Sequence, residues 1–182
     1  IGLAPSSSQE MFDFTIRAFN LSERYRVPVL VMSDAYVARL KEDLSIPAAS
    51  AIEIEPRRYY EGPKEKYLPF KRDDDLVPRM VDIGQGYRFH VTGLTHDDRG
   101  YPIMFEECQE YNVHPLVWKI RKFADKIVDI RENRTEDAEV VIVSYGATSR
   151  TSLKVVEGAR QSGLKVGSLK LNTVWPFPDK RV

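Results

Sequence analysis

Two histidines, two aspartates and two arginines lie within the fifteen residues GYRFHVTGLTHDDRG, positions 86–100. Side chains of these types transfer protons, bind metal ions or hold anions. The candidate residues are His90, Thr92, His96, Asp97 and Arg99, and composition alone leaves a metal site, a catalytic loop and a polar turn open.

The spacing of the two histidines argues against a metal site. Zinc is bound by neutral histidines that converge with other ligands on one centre. His90 and His96 are six positions apart, on what reads as a half-buried extended segment followed by a loop. This is neither the i, i+4 pair of a metal-binding helix nor a familiar zinc spacing. We therefore expect no metal here, while a catalytic loop and a simple polar turn both stay open.

A second candidate is the turn SYGATSR, positions 144–150, between a predicted strand and a predicted helix. Unpaired backbone N–H groups at a helix start, together with the helix dipole, hold anions. Thr148, Ser149 and Arg150 are weak candidates for such an anion site. The turn lacks the Gly-Lys-Ser/Thr of a phosphate loop and the three spaced glycines of a dinucleotide fold, so an ordinary connection is the favoured interpretation.

Other polar residues are better explained as helix caps than as chemistry. The serines at 6–8 lack the G-x-S-x-G frame of a serine nucleophile. Ser7 and Glu10 have the S-x-x-E spacing of a capping box. Asp34 follows a strand and precedes a short predicted helix, so capping is its favoured role as well.

Hydrophobic periodicity predicts a first β-α-β unit at the start of the chain. Ile1–Ala4 reads as the end of a strand, and the helix that follows has an apolar face at helical spacing. Val29–Met32 reads as a parallel strand buried on both faces. A short helix is predicted over about Tyr36–Asp43.

The middle of the chain has no sustained period of 2 or 3.6. Six of the eleven prolines lie between Pro47 and Pro102, which is typical of a functional or inter-domain crossing. A helix is predicted from Val113 to about Ile127, followed by a charged linker at 131–138.

The last segment predicts a second β-α-β unit. Its strands are Val140–Ser144 and Val166–Leu171, and its helix ends near Ser162 with Gly163 as the C-terminal cap. Two parallel strands and one helix cannot cover both faces of a sheet, so we expect the natural chain to continue at both ends.

Composition narrows the function classes. The 27 basic and 27 acidic residues give zero net charge, which argues against a nucleic-acid partner. No apolar run approaches the ~20 residues of a membrane span. The single cysteine, Cys108, cannot form an internal disulfide or hold an iron–sulfur cluster, so a reducing, cytoplasmic setting is expected.

Three stretches, in this order, cover nearly the whole chain: LAPSSSQEMFDFTIRAFNLSERYRVPVLVMSD, GYRFHVTGLTHDDRGYP and AEVVIVSYGATSRTSLKVVEGARQSGLKVGSLKLNTVWPFPDKR. They resemble the alpha subunit of 2-oxoacid:ferredoxin oxidoreductases, most closely the 2-oxoglutarate type. The resemblance implies an α/β chain with two truncated domains. Residues 1–45 would be the C-terminal part of a pyrimidine-side thiamine diphosphate-binding fold, 46–135 an inter-domain crossing with a helix, and 136–182 the start of a transketolase C-terminal-like domain.

The resemblance also implies a function, cofactors and partners. The family decarboxylates a 2-oxoacid with thiamine diphosphate, reduces ferredoxin and releases an acyl-coenzyme A. Thiamine diphosphate and magnesium would lie at the interface with a beta subunit, and iron–sulfur clusters on partners that include gamma and delta subunits in some members. The family's catalytic residues are expected upstream of Ile1, so this chain alone should be inactive.

The resemblance favours one role for the loop at 86–100, which is docking against partner subunits near the thiamine cleft. Two alternatives stay open for the chain as a whole. It could be a non-catalytic α/β binding module, since a fold does not fix a function. It could also be a component of a transketolase-like thiamine enzyme.

Overall fold

A computed structural model describes residues 1–182, which form a mixed α/β protein. The helices and strands, in chain order, are β1 (Gly2–Leu3), α1 (Ser8–Tyr25), β2 (Leu30–Val31), α2 (Glu106–Lys122), α3 (Ala124–Ile127), β3 (Ile130–Asn133), β4 (Val140–Ser144), α4 (Ala147–Gln161), β5 (Val166–Leu171) and β6 (Thr173–Trp175). Single 3-10 turns form at Val37–Arg39, Ala49–Ala51 and Lys64–Lys66. The chain divides into two units: the first is Ile1–Asn20, Pro28–Ile54 and Ala124–Val182, and the second is Leu21–Val27 and Glu55–Phe123.

One sheet of the first unit has the strand order β2-β1-β6. β1 and β2 pair in parallel, which confirms the first predicted β-α-β unit. The predicted burial of the second strand is wrong, because Leu30 is 62% exposed and Met32 is 53% exposed. β2 is an edge strand of two residues with one neighbour, so it is not buried on both faces.

The second sheet of this unit has the order β3-β5-β4. β4 and β5 pair in parallel around α4, and Gly163 takes a φ of +82° after that helix, so the second β-α-β unit and its glycine cap are confirmed. β3 was not predicted, because the charged residues Arg131 and Glu132 led to the prediction of a linker at 131–138. Both residues are exposed on an edge strand, a position where charged side chains are common.

The core of the first unit forms where the helices cover the sheets. Leu3, Ile127 and Val156 are almost completely buried, and Phe14 and Ala18 of α1 are buried at the predicted helical spacing. Such apolar burial is the main favourable term in folding.

The expected helix at 36–43 is wrong. Asp34 caps a single 3-10 turn, since its Oδ1 accepts a hydrogen bond from the N–H of Val37 at 2.8 Å. The chain leaves the helical region at Leu40, which has extended backbone angles. The predicted capping role of Asp34 is therefore confirmed, while the helix it was expected to begin is one turn long.

The second unit contains α2 and long irregular segments. α2 begins at Glu106, well before the predicted Val113, and Pro115 lies inside it. Its first two turns, EECQEYN, carry almost no apolar residues, so periodicity could not reveal them. Helical spacing also predicts that Val113, Leu116 and Ile120 share one apolar, buried face, which is partly wrong, because Val113 and Leu116 are exposed while Ile120 is buried.

An aromatic cluster packs the irregular part of the second unit. The ring of Tyr67, itself buried, lies 5.3–5.6 Å from the rings of Tyr60, Tyr87 and Phe89. The alternation of Tyr87, Phe89 and Val91 with polar residues predicts that these three side chains are buried; Tyr87 and Phe89 do pack against Tyr67, but Val91 is 62% exposed. None of the helices combines the length and the apolar character that crossing a bilayer requires.

Candidate functional site

The HDDRG segment forms a tight hairpin turn. The N–H of Asp97 donates to the carbonyl of Tyr101 at 3.0 Å, and the N–H of Gly100 donates to the carbonyl of Asp97 at 3.0 Å. Gly100 has a φ of +87°, and a Cβ at this position would lie 2.0 Å from the carbonyl oxygen of His90. Only glycine fits this turn, both for its backbone angle and for the close approach.

The Asp97 carboxylate holds the turn closed. Its Oδ1 accepts from the N–H groups of Arg99 at 2.9 Å and Tyr101 at 3.0 Å, and its Oδ2 accepts from Nε of Arg99 at 2.8 Å. Burial by itself raises the pKa of Asp97, but the bonds from Tyr101 and Arg99 outweigh it and hold the pKa below its ordinary value. Asp97 is thus a charged structural residue whose acceptors are already used.

His90 and Arg99 form an exposed surface around Tyr101. The imidazole of His90 stacks on the Tyr101 ring at 5.2 Å between centroids and an angle of 7°. The Arg99 guanidinium lies 5.5 Å from the centroid of the same ring. We call these three residues the His90–Tyr101–Arg99 surface. Stacked aromatic and cationic groups of this kind bind well at protein interfaces. Thr92, close by in sequence, uses its hydroxyl to accept from the N–H of Leu94 at 3.2 Å.

His96 makes different contacts from His90. Its ring lies 3.8 Å from the Phe70 ring, and its Nδ1 is 2.9 Å from the carbonyl oxygen of Asp97. Its own carbonyl accepts from Sγ of Cys108 at 3.3 Å and from Nδ2 of Asn112 at 2.8 Å. No group of three or more His, Cys, Asp or Glu side chains is placed to hold a metal ion.

The turn before α4 already holds a carboxylate. Oδ2 of Asp34 accepts from the N–H of Ala147 at 2.8 Å, and a Cβ at Gly146 would lie 2.9 Å from the same oxygen. The N–H of Val37, and next that of Ala147, hold the pKa of Asp34 below its ordinary value. Asp34 therefore takes a place that an external anion could otherwise use.

The three candidates on α4 do not converge on one point. The Ser149 hydroxyl donates to the carbonyl of Gly146 at 2.7 Å. Nη1 of Arg150 donates to Glu42 at 2.6 Å, and Thr148 is exposed, with its carbonyl accepting from the Ser152 hydroxyl. The side chains of Ser149 and Arg150 are thus engaged within the protein.

An ion pair between the buried Glu10 and the half-buried Lys170 in the first unit was missed by sequence reasoning. The N–H of Glu10 donates to Oγ of Ser7 at 3.1 Å, as predicted for a cap, but the Glu10 carboxylate turns to Ser6 and Lys170. Nζ of Lys170 donates to Glu10 Oε2 at 2.6 Å and to Oγ of Ser6 at 2.8 Å. Burial raises the pKa of Glu10, but the bonds from Lys170 and Ser6 outweigh it and lower the pKa overall. Nothing near Glu10 in the sequence indicates this lysine.

Comparison with known proteins places the chain in a family. Residues 1–141 match the sequence model of the family described as pyruvate flavodoxin/ferredoxin oxidoreductase, thiamine diphosphate-binding. Residues 138–182 match the one described as pyruvate:ferredoxin oxidoreductase core domain II.

Curated relatives align along nearly the whole chain. The 2-oxoglutarate synthase subunit KorA of Methanothermobacter thermautotrophicus is 48% identical over 183 residues, covering 100% of this chain and 48% of the relative. KorA of Methanocaldococcus jannaschii is 47% identical, covering 98% and 48%. The ketoisovalerate oxidoreductase subunit VorB of Methanothermobacter marburgensis is 33% identical, covering 100% and 44%. The chain thus spans about half the length of the curated relatives it matches.

A solved structure shares the fold. The 2-oxoglutarate:ferredoxin oxidoreductase from Magnetococcus marinus, with 2-oxoglutarate, coenzyme A and succinyl-CoA bound, superimposes with a TM-score of 0.85. The match covers 98% of this chain and 31% of that one, at 24% identity. At this identity the likeness shows the fold alone.

Proposed function

Because this chain belongs to the pyruvate flavodoxin/ferredoxin oxidoreductase family, we propose that it is part of the alpha subunit of a 2-oxoacid:ferredoxin oxidoreductase that acts on 2-oxoglutarate. The observation that carries this proposal is the identity with KorA, which runs through the whole chain. The lower identity with VorB favours 2-oxoglutarate over a branched 2-oxoacid. The reaction would be oxidative decarboxylation of the 2-oxoacid to an acyl-CoA, with ferredoxin reduced.

The residues of this chain do not by themselves make a thiamine diphosphate site. No group of three or more His, Cys, Asp or Glu side chains is placed to hold a metal ion, and magnesium is usually held by one or two carboxylates together with phosphate oxygens. The N–H of Ala147, at the start of α4, is taken by Asp34. We therefore place thiamine diphosphate and magnesium at the interface with a beta subunit. Because Cys108 is the only cysteine, iron–sulfur clusters would be held by partner subunits.

The domain assignment follows from the same proposal. Residues 1–45 would belong to the pyrimidine-side thiamine fold, 46–135 to the crossing and its helix, and 136–182 to the transketolase C-terminal-like domain. The two family matches meet at residues 138–141, which supports a boundary near 136.

The His90–Tyr101–Arg99 surface would dock against a partner subunit near the thiamine cleft. His90 and Arg99 are exposed, and both rest on Tyr101, which is 54% exposed. Asp97 supports this surface by closing the turn that carries Arg99. His96 and Thr92 make contacts inside their own unit and would contribute through the shape of the loop.

The function is tested on the complete protein purified from its native source. We expect a thiamine-binding subunit and a cysteine-rich subunit to copurify, and the complex to reduce ferredoxin when given 2-oxoglutarate and coenzyme A. A branched 2-oxoacid serves as the comparison substrate. Faster turnover of the branched acid would reassign the substrate, and isolation as a lone monomer without 2-oxoacid activity would overturn the proposal.

The docking surface is tested with His90→Ala and Arg99→Ala in the complete complex. Lys154→Ala, at a side chain that is 85% exposed on α4, is the control. We expect weaker subunit association or lower ferredoxin reduction in both loop variants, with stability within about 0.5 kcal/mol of wild type. Wild-type association and activity in both variants would leave the loop as a simple polar turn.

A further inference from the structure

A cavity of about 130 Å³ in the second unit is lined by three basic side chains, those of Arg26, Arg72 and Lys119. This volume far exceeds the ~10–15 Å³ that one water molecule requires. Phe70 and Pro115 contribute to its apolar walls, and no carboxylate lines it. Five of the ten lining residues are polar or charged, and three cations without an anion beside them are unusual because buried charges in proteins are normally paired.

Arg72 has a buried donor without a partner. Its Nη1 is inaccessible to solvent and makes no hydrogen bond within the protein. The guanidinium lies 4.3 Å from the ring centroid of Tyr111. Burial raises the pKa of Tyr111 and a hydrogen bond from the Arg72 side chain partly opposes this rise, so Nη1 is the donor left without a partner. Unpaired buried donors are rare in proteins, and the Arg72 guanidinium is not fully satisfied by the protein's own acceptors.

Lys119 is a second buried cation with few partners. The residue is 3% exposed, and its Nζ donates to the carbonyl of Arg26 at 3.2 Å. An ammonium group has three donors, so one acceptor leaves most of its capacity unused. Burial, followed by repulsion from Arg26 and Arg72, lowers the pKa of Lys119 to about 8. An anion beside these three groups would reverse that repulsion.

The acidic residue that acts on Lys119 is already engaged. Asp75 raises the pKa of Lys119, but this is the smallest of the causes. The Asp75 carboxylate forms an ion pair with Arg58 and accepts from the N–H of Val77 at 3.1 Å. Arg26 is held in place by a bond from its Nη1 to the carbonyl of Pro69 at 2.8 Å. The positive charge of the cavity is therefore not neutralised from within the protein.

We propose that this cavity binds an oxyanion of the phosphate class, held by Arg26, Arg72 and Lys119. A phosphate group carries about 1.5 to 2 negative charges at neutral pH and several acceptor oxygens, which suits several cationic donors better than the single charge of a carboxylate does. The Arg72 guanidinium supplies the fork of N–H donors that phosphate binds well. The proposal is argued from the residues that line the cavity and does not depend on the proposed function, although one of these residues, His96, belongs to the loop at 86–100.

The test is a ³¹P NMR titration of the complete subunit at pH 7, with chloride keeping the ionic strength constant. The probes are inorganic phosphate and a small alkyl phosphate monoester, and acetate competes against both. We expect saturable binding at one site, which acetate displaces poorly. Binding of both probes would mean that the cavity takes the head group of a phosphate ester. Binding of inorganic phosphate alone would mean that it takes the free ion.

Two variants decide whether the cavity is the binding site. Arg72→Met and Lys119→Met should each weaken phosphate binding by at least about tenfold, the loss expected for one charged hydrogen bond. Arg121→Met, at an exposed position on the same helix as Lys119, should bind like wild type. If Arg72→Met does not fold, Lys119→Met alone tests whether phosphate binds in the cavity. This variant should fold, because the substitution removes a buried charge. Unchanged affinity in Lys119→Met, non-saturable binding, or acetate binding as tightly as phosphate would each overturn the proposal.

Discussion

Replacing Lys119 with methionine should stabilise the protein at neutral pH. The pKa of Lys119 falls from 10.5 to about 8, chiefly because the ammonium is buried and secondly because Arg26 and Arg72 repel it. At about 1.36 kcal/mol for each pKa unit, the protonated side chain opposes folding by about 3 kcal/mol. Methionine fills a similar volume without charge, but it leaves the carbonyl of Arg26 without its donor, which costs about 1 kcal/mol. The net expectation is a gain of about 2 kcal/mol at pH 7.

The gain in stability from Lys119→Met should decrease as the pH rises. Between pH 8 and 10.5 the unfolded chain binds the Lys119 proton more strongly than the folded chain does, so wild-type stability rises with pH. By pH 9.5 the penalty has fallen to about 1.4 kcal/mol, so the advantage of Lys119→Met should shrink to near zero. Buried tyrosines with raised pKa values, such as Tyr25 and Tyr67, also affect stability at high pH, but equally in both proteins.

The measurement is urea unfolding of wild type and Lys119→Met between pH 7 and 9.5, in chloride buffers without phosphate. Taking the difference in the free energy of unfolding at each pH removes contributions that the two proteins share. A difference that stays constant across this range would refute the assignment of the lowered pKa to Lys119. A variant less stable than wild type at pH 7 would refute the claim that its buried charge opposes folding.

Two further predictions concern the turn and the Glu10–Lys170 ion pair. Gly100→Ala should lower the free energy of unfolding by at least about 2 kcal/mol, because the added Cβ would lie 2.0 Å from the carbonyl oxygen of His90 in a backbone with φ of +87°. The control Gly93→Ala has open space around its Cβ and should change the free energy of unfolding little. Equal effects of the two substitutions in chemical denaturation would refute the steric argument. Glu10→Gln should cost about 2 kcal/mol at pH 7, because it removes the charged hydrogen bonds of the half-buried Lys170. Since the pKa of Glu10 is lowered on folding, its contribution is present above the unfolded value of 4.5 and is lost as the pH falls through the folded one. The Glu10→Gln variant should therefore lose less stability on acidification than Glu157→Gln, an exposed control, and parallel acid unfolding of the two would count against the ion pair.

Sequence reasoning correctly predicted the elements that are defined by residues close together in the chain. The two parallel β-α-β units follow from apolar periodicity, and Gly163 and Asp34 act as the predicted caps. Each of these features depends on residues within a few turns of one another, so the pattern along the chain contains the information.

The start of α2 and the strand β3 were not predicted, because neither segment has an apolar pattern along the chain. Both are mainly polar and exposed, and their backbone hydrogen bonds, which do not depend on side-chain pattern, define them. Within residues 86–100, sequence reasoning named the candidate residues but did not distinguish their separate positions. Asp97 closes the turn and His96 packs inward, while His90 and Arg99 face solvent.

The tertiary structure alone decided which charges are buried together. Lys170 reaches Glu10 across 160 residues of chain, and Lys119 lies against Arg26 across 93. A lysine in a helix normally faces water, and the sequence around Lys119 is typical of an exposed, basic helix end. Its burial depends on where the rest of the second unit packs, and the energy of a buried charge is set by those distant neighbours rather than by its own position in the sequence.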